Sequence, residues 1–255
     1  MISVNALNLL TPELPAPAML EIWERAVEWH PIDRALLILQ FASGATLQCL
    51  AELSIGERDA LLLQIRRDTF GDRIESCVQC PLCEERLEFS LSCAALLAEG
   101  SSHESLPGKI QYEGIEWQLR SPNSRDLAAA LALKTRRLQD AAHVLLSRCV
   151  SRVDGATPDL AEPWSEMPVA ALAEAMSRLD PLAEIRIQQT CEACGHGWSS
   201  FFDIVGILWD DLQERCCRLL QEFDLLARRY GWTESAILQL SERRRGIYVQ
   251  MAAHE

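Results

Sequence analysis

Two widely separated pairs of cysteines constrain the fold of this chain more than any other feature of its sequence. The stretch CVQCPLC, residues 77–83, contains one Cys-x2-Cys pair, and CEAC, residues 191–194, repeats the spacing. Such spacing lets a tight turn direct two thiolates at one ion, and a closed tetrahedral site needs four ligands. Strand-like stretches follow both pairs, as in the two halves of a zinc ribbon. We therefore predict a structural Zn²⁺ site formed by Cys80, Cys83, Cys191 and Cys194.

Other interpretations of these thiols stay open. Iron in a rubredoxin-like electron carrier has the same four-thiolate ligation, and the pairs could also be unrelated buried thiols. Cys77 could replace Cys80, but we expect it to be a small buried residue beside the site, because the Cys80 and Cys83 pair directly precedes the strand. His196 follows the second pair, yet four thiolates already complete a closed shell. We expect core or incidental thiols at Cys49, Cys93, Cys149, Cys216 and Cys217.

The motifs argue against an enzyme, and we expect no small-molecule substrate. Catalytic zinc keeps an open position beside three protein ligands, which four thiolates do not leave. A redox CxxC needs a helix N-terminus behind its first cysteine, whereas both pairs here lead into strand-like stretches. The sequence contains no glycine-rich phosphate loop, GxSxG elbow or HExxH helix.

The charge of the chain limits its partners. Lys and Arg number 24 against 37 Asp and Glu, which gives a formal net charge of -13. This balance repels phosphate backbones and anionic lipid surfaces, so we predict no nucleic-acid or membrane partner. It thereby opposes the alternative of a zinc-ribbon nucleic-acid-binding or regulatory module. Because no basic leader or long apolar run is present, we expect a cytoplasmic protein with thiols or metal-bound cysteines rather than disulfides.

Helical periodicity dominates the remaining sequence, and we predict an α+β, mainly α-helical fold around a small β zinc ribbon. The first helix is predicted over 18–29 before Pro31, and a second begins near Asp33. A capping box of Ser54 and Glu57 starts the next helix, which leads directly to the first cysteine pair. The apolar face of the first helix is expected to comprise Leu20, Trp23 and Val27.

The region between the cysteine pairs is predicted to mix strands and helices. RLEFSL is a strand, EGSSHESLPG a loop, and IQYEGIEWQLRSP a hairpin that turns at Glu113 and Gly114. One helix is predicted over 123–149, with an Asn-x-x-Asp start and an apolar face that includes Leu131. After the loop VDGATPDLAEP, the helix MPVAALAEAMSRL ends at Asp180. AEIRIQQT and WSSFFDI are then the strands on either side of the second pair.

A long C-terminal helix carries the strongest periodicity. Its stripe is expected to pack within its own domain, although a docking surface for another subunit's helix is the alternative. Asp210 and Asp211 are predicted near its start, and Thr233 and Ser241 are plausible N-caps of two later helices. The arginine cluster 243–245 is interpreted as a solvated face. The stripe consists of Trp209, Leu212, Cys216, Leu219, Phe223, Leu226 and Tyr230.

These patterns divide the chain into six segments. We predict an N-terminal helical region at 1–71, the first knuckle and strand at 72–98, a loop and hairpin at 99–122, inserted helices at 123–182, the second knuckle at 183–203, and a C-terminal helical region at 204–255.

The chain resembles a family of baseplate proteins from contractile phage tails and phage-tail-like extracellular contractile injection systems. Four blocks carry the resemblance in the family's order and span most of the chain. The first knuckle departs from the family's common CPxCG pattern, because Glu84 stands where glycine is usual. The blocks are HPIDRALLIL, GERDALLLQIRRDTFGDRIESCVQCPLCEERLEF, CEACGHGWSSFFDI and RLLQEFDLLARRYGWTESAILQLSERRRGIYVQM.

The resemblance implies a non-enzymatic protein that forms part of a baseplate or helps to build one. Its implied partners are other baseplate or hub proteins of the injection particle, and zinc would be a structural staple. A permanent subunit and a transient assembly chaperone both agree with the sequence. A site that joins residues near 80 to residues near 192 closes a long loop, so metal binding would contribute to the folding free energy.

Overall fold

The computed structural model describes residues 13–101, 108–112, 115–133, 137–153 and 169–253. It confirms an α+β fold that is mainly helical, with small antiparallel sheets and a long helix near the C-terminus. The helices are α1 (Ala16–Ala26), α2 (Pro31–Ser43), α3 (Leu47–Leu50), α4 (Ile55–Phe70), α5 (Cys93–Ser101), α6 (Ser124–Ala132), α7 (Leu138–Cys149), α8 (Val169–Leu179), α9 (Ile204–Tyr230), α10 (Glu234–Leu238) and α11 (Glu242–Ala253). The strands are β1 (Arg73–Gln79), β2 (Arg86–Ser92), β3 (Lys109–Tyr112), β4 (Ile115–Leu119), β5 (Val150–Arg152), β6 (Arg186–Thr190) and β7 (Gly197–Phe201).

The main hydrophobic core forms between helices from the two ends of the described chain. α9 packs against α1, α2, α4 and α11, and α2 also contacts α1 and α4. In α2, Leu37, Ile38 and Leu39 have no exposed surface although they are consecutive, so this helix is buried on several sides. A helix that is apolar around most of its circumference belongs inside a core. Among the described residues, no helix is long and apolar enough to span a membrane.

The N-terminal helices differ in their bounds from the sequence prediction. Leu20 is buried and Trp23 packs against the core, but α1 ends at Ala26, and Val27 beyond it is 40% exposed. Pro31 is the first residue of α2, because proline is favoured where the backbone N–H has no helical partner. The capping box of Ser54 and Glu57 is confirmed at the start of α4.

Two antiparallel hairpins connect the helical core to the cysteine pairs. β1 pairs with β2, and β6 pairs with β7. β2 and β7 lie on the predicted strands, but β7 ends at Phe201, so Ile204 begins α9 instead of ending a strand. β1 was missing from the prediction. The predicted loop EGSSHESLPG is also wrong at its start, because α5 extends to Ser101. Residues 102–107 of this loop lie outside the described part of the chain.

The insertion between the hairpins contains a second hydrophobic cluster. β4 lies between β3 and β5, and the predicted hairpin is confirmed, although its turn residues 113 and 114 lie outside the described part. The predicted helix over 123–149 is instead two packed helices, α6 and α7, and Leu131 is 58% exposed. The predicted loop after β5 lies outside the described part beyond Val153. The cluster consists of Trp117, Leu119, Leu146, Val150 and Leu172.

A buried carboxylate fixes α6 and α7 to the end of β4. Asp126 completes the predicted capping box with Asn123, and its side chain has no exposed surface. Arg120 Nη2 donates to Asp126 Oδ1 at 3.0 Å, and Arg148 Nε donates to the same oxygen at 2.7 Å. Burial opposes ionisation, but these hydrogen bonds outweigh it and hold the pKa of Asp126 well below its usual range.

A second buried carboxylate fixes the end of the insertion to α4. Asp180, which follows α8, accepts a hydrogen bond from the Gly56 N–H at 2.9 Å. Burial raises the pKa of this carboxyl, although the Gly56 N–H lowers it. A Cβ at position 56 would lie 1.8 Å from Asp180 Oδ1, so only glycine leaves room for this contact.

Gly56→Ala is expected to destabilise the protein by about 2–4 kcal/mol, because the added methyl group displaces Asp180 and breaks a buried hydrogen bond. Urea unfolding followed by circular dichroism measures the change. Gly246→Ala is the matched control, since a Cβ there meets nothing within 4 Å in the middle of α11. The control should stabilise the protein by about 0.5–1 kcal/mol. Equal effects of the two substitutions would show that Asp180 does not restrain α4.

The stripe on α9 packs inside this chain. Six of its seven residues are buried and Tyr230 is half-buried against the core, which confirms the intramolecular interpretation. α9 begins at Ile204 with Asp203 as its N-cap, so Asp210 and Asp211 are in its second turn and not at its start. Asp211 instead forms an ion pair with Arg66 at 3.0 Å.

The last helices match their predicted caps but not the predicted arginine face. The Thr233 side chain caps α10, and Ser241 Oγ accepts from the Arg244 N–H at 3.4 Å before α11. Arg245 is only 3% exposed, and its Nε donates to Glu222 Oε2 at 2.6 Å. The interpretation of 243–245 as a solvated face is therefore wrong for Arg245, because this side chain pairs α11 with α9.

Candidate metal centre

The two cysteine pairs occupy turns of the same construction at the ends of the hairpins. Cys80 N–H donates to Glu85 O and Cys191 N–H donates to His196 O, both at 2.9 Å. The residue after each second cysteine has a positive φ, 72° at Gly195 and 61° at Glu84. Glutamate therefore adopts the conformation for which glycine is usual, at a cost of roughly 1–2 kcal/mol. The departure from CPxCG leaves the turn geometry unchanged.

The hairpins bring all four predicted ligand atoms together. Cys80 Sγ lies 3.7 Å from Cys194 Sγ, and Cys83 Sγ lies 3.6 Å from Cys191 Sγ. All four sulfur atoms are within 4.8 Å of one another. A tetrahedral ion with bonds of about 2.3 Å to sulfur requires sulfur atoms about 3.8 Å apart. The cluster therefore has the dimensions of a four-thiolate site, and these dimensions suit zinc and iron alike.

Backbone N–H groups and neighbouring thiols set the protonation of the cluster. Burial opposes ionisation of Cys80, but the N–H groups of Cys83 and Leu82 outweigh it and lower the pKa of this thiol. The Glu85 N–H favours the Cys83 thiolate, yet the thiols of Cys194, Cys191 and Cys80 together with burial raise the pKa of Cys83. Several thiolates this close repel one another, and a divalent cation removes that repulsion.

The other candidate ligands lie outside the cluster. The predicted burial of Cys77 is wrong, because its side chain is exposed on β1, where Arg86 Nε donates to its Sγ at 2.8 Å. His196 stacks on Trp198 with ring centroids 5.9 Å apart. Within the described residues, the one cluster that could hold a metal ion contains the four predicted cysteines alone. Of the remaining cysteines, Cys93, Cys149 and Cys216 are buried, and Cys49 and Cys217 are exposed.

Arg66 is a supporting residue that the sequence did not reveal. This buried side chain of α4 donates from Nη1 to Gly71 O at 2.5 Å and to Arg73 O at 2.7 Å, and its Nε donates to Asp211 of α9. It therefore joins the helix before the first hairpin to the helix after the second one. Ile74 at the base of the first hairpin is buried in the main core, and Ile187 of the second packs against it. The core fixes the hairpin bases while the cysteines bring their tips together.

Residues 42–209 match the family model described as T4 bacteriophage base plate protein. This chain belongs to that family. The match covers about two thirds of the sequence and includes both cysteine pairs, both hairpins and the insertion between them. Most of α9 and the helices after it lie beyond the matched region. No curated protein and no solved structure matches the chain.

Proposed function

We propose that the protein is a structural or assembly component of the baseplate of a contractile phage-tail-like injection system, with a structural zinc ion held by Cys80, Cys83, Cys191 and Cys194. The observation that supports this proposal best is the four-sulfur cluster within the region that matches the baseplate family. A baseplate family suggests a scaffolding role rather than an enzymatic one. The cluster would supply the rigidity that such a role needs.

The chemistry of the cluster favours a structural ion. Four thiolates fill a tetrahedral shell, so a bound zinc would have no open position for water or substrate. Cys80 and Cys191 are buried, whereas Cys83 and Cys194 are exposed at the hairpin tips. When bound, the ion would hold the tips together and neutralise the thiolates. The chain's own residues then position the hairpins through Arg66 and the main core.

Protein purified without chelators is expected to contain about one zinc ion per chain, because the sulfur positions match one tetrahedral site. Inductively coupled plasma mass spectrometry measures zinc and iron in the same sample. A stoichiometric iron content would instead favour a rubredoxin-like iron centre over a structural zinc site. A metal-free, fully folded protein would remove the metal from the proposal altogether.

The outer face of α11 is the surface that we propose for another baseplate subunit. Ile247 lies four residues after Arg243 and three after Arg244, and Met251 lies four after Ile247, so these four exposed side chains share one face of the helix. Two cations beside two apolar side chains complement a partner surface that carries carboxylates around an apolar centre. The apolar stripe of α9, the helix on which α11 packs, is buried in the main core and is therefore not the docking surface.

Purified particles are expected to contain the protein at a fixed ratio to other baseplate subunits if it is a permanent component. Quantitative mass spectrometry of intact particles measures that ratio. An assembly factor would instead be present in incomplete baseplates and missing from finished particles. Absence of the protein from both incomplete baseplates and finished particles would exclude a baseplate role. An abundant cytoplasmic protein of the same cells provides the background level of contamination.

A further inference from the structure

A groove lies between the two hairpins and is lined by residues that neighbour the cysteine pairs in sequence. Its volume is about 610 Å³, which is within the range of roughly 300–1,000 Å³ found for ligand sites. One wall is residues 85–89, which are the first four residues of β2 and the residue before them, and the other is formed by Gln189, Thr190, Glu192 and Ala193. Side chains alternate between the two faces of a strand. The side chains of five consecutive residues cannot all point to one face. What residues 85–89 share at the groove is therefore the backbone edge of β2.

The hydrogen bonds at the ends of β2 show which backbone groups face this groove. Glu85 O accepts from Cys80 N–H, and Cys93 N–H donates to Asp72 O, so both residues point towards β1. Alternate residues of a strand direct their N–H and C=O to opposite sides. Arg86, Glu88 and Ser90 consequently present their N–H and C=O groups away from β1. In the described part of the chain β2 pairs with β1 alone, and this outer edge has no strand beside it.

The opposite wall contains a buried polar group without a partner. Gln189 is 9% exposed, and its Nε2 forms no hydrogen bond within the described part of the protein. A buried, unpaired amide donor is unfavourable by about 1–3 kcal/mol. Charged side chains such as Arg86 and Glu88 often protect an edge strand from unwanted pairing. Such protection does not account for the groove beside this edge, whereas an extended segment paired with β2 would fill it. The enclosed Gln189 amide belongs to the wall and would lie next to the occupant.

The charge of the groove indicates the kind of occupant. Its walls carry the carboxylates of Glu85, Glu88 and Glu192 but the single guanidinium of Arg86. Arg86 is already engaged, because its Nη2 lies 3.3 Å from Glu88 Oε1. The groove therefore has an excess of negative charge and favours a cationic occupant.

From these observations we infer that the outer edge of β2 binds an extended, lysine- or arginine-bearing segment of another protein as an additional strand, with the Gln189 wall enclosing it. Main-chain hydrogen bonds would supply most of the affinity in this mode of recognition, and the carboxylates would select the segment. The inference concerns a surface created by the two hairpins and does not depend on the baseplate role.

The test uses full-length protein and the N-acetylated peptide amide Thr-Lys-Val-Lys-Val-Lys-Thr. Amide nitrogen–proton NMR should show saturable shifts at Glu88, Ser90 and the Gln189 side chain, with a dissociation constant of about 1 mM. The same peptide with every backbone amide N-methylated should produce no shifts. A peptide with glutamate in place of lysine should bind at least about tenfold more weakly. Equal binding of all three peptides, or no shift in β2, would overturn the inference.

Glu88→Pro and Glu88→Ala form a matched pair of variants. Both remove the carboxylate, but proline also removes the outward N–H, while the bonds of β2 to β1 are left intact. Binding of the lysine peptide should weaken about tenfold in the proline variant relative to the alanine variant. Equal melting temperature and metal content would show that both variants fold. Equal affinity would overturn the inference, as would a wild-type dimer that dissociates in the proline variant, because a second copy would then occupy the edge.

Discussion

Cys83→Ser is expected to abolish stoichiometric metal binding and to lower the melting temperature by at least about 10 °C. Serine is nearly the same size as cysteine but is a poor ligand for zinc, so the change removes one of four bonds without creating a large cavity. The remaining three thiols hold the ion less tightly, and the two hairpin tips separate. Cys194→Ser should have the same effect, because its sulfur lies 3.7 Å from that of Cys80 across the two hairpins.

The loss is expected to extend beyond the hairpins because the site closes a long segment of the chain. Without the ion, the insertion is held to the helical core by contacts such as the one between Asp180 and Gly56. The entropy of the open segment then opposes native packing. Calorimetry with and without a chelator measures this contribution, and chelated wild-type protein should melt close to the Cys83→Ser variant.

Two other serine substitutions are the controls for this experiment. Cys217 is exposed on α9 and Cys77 is exposed on β1, and both lie outside the sulfur cluster. Cys217→Ser should leave metal content and melting temperature unchanged. Cys77→Ser keeps an acceptor for the Arg86 guanidinium and should change the melting temperature only slightly. A larger loss of metal from the Cys77 variant than from the Cys83 variant would refute the ligand assignment.

Local sequence patterns predicted the features of this fold that depend on residues close together in the chain. The capping boxes at Ser54 and Asn123 formed as expected, because each needs only a side chain and a backbone N–H three residues away. The two CxxC pairs were recognisable for the same reason. That the cysteine sulfurs gather into one cluster also followed from the sequence, since the repeated spacing has an established geometric meaning.

Features set by distant contacts were not predictable in this way. RIESCVQ does not predict β1 because it contains few apolar residues, and Ile74 is the one residue of this strand that is buried. The arginine run predicts a solvated face, but Glu222 of α9 pairs with Arg245. Cys77 was expected to be buried because cysteine usually is, whereas its strand belongs to an exposed two-stranded hairpin.

The baseplate role can be tested in living cells through the assembly of injection particles. Deleting the gene should leave sheath and tube proteins at normal abundance but reduce complete particles by at least about tenfold, because these polymers would lack a baseplate from which to grow. Negative-stain electron microscopy counts complete particles, and immunoblots measure the two proteins. Normal yields of functional particles from the deletion strain would exclude both a structural and an assembly role.

Complementation of the deletion strain separates folding from partner binding. A wild-type copy should restore particles, and Cys83→Ser should fail together with a loss of the protein itself. The double variant Arg243→Glu and Arg244→Glu should accumulate normally, because both side chains are exposed, yet restore few particles. Exchanging the exposed Arg228 and Arg229 of α9 for glutamate places the same charge change on another helix and should restore most particles. Equal complementation by the two double variants would show that the outer face of α11 is not the surface that contacts the baseplate.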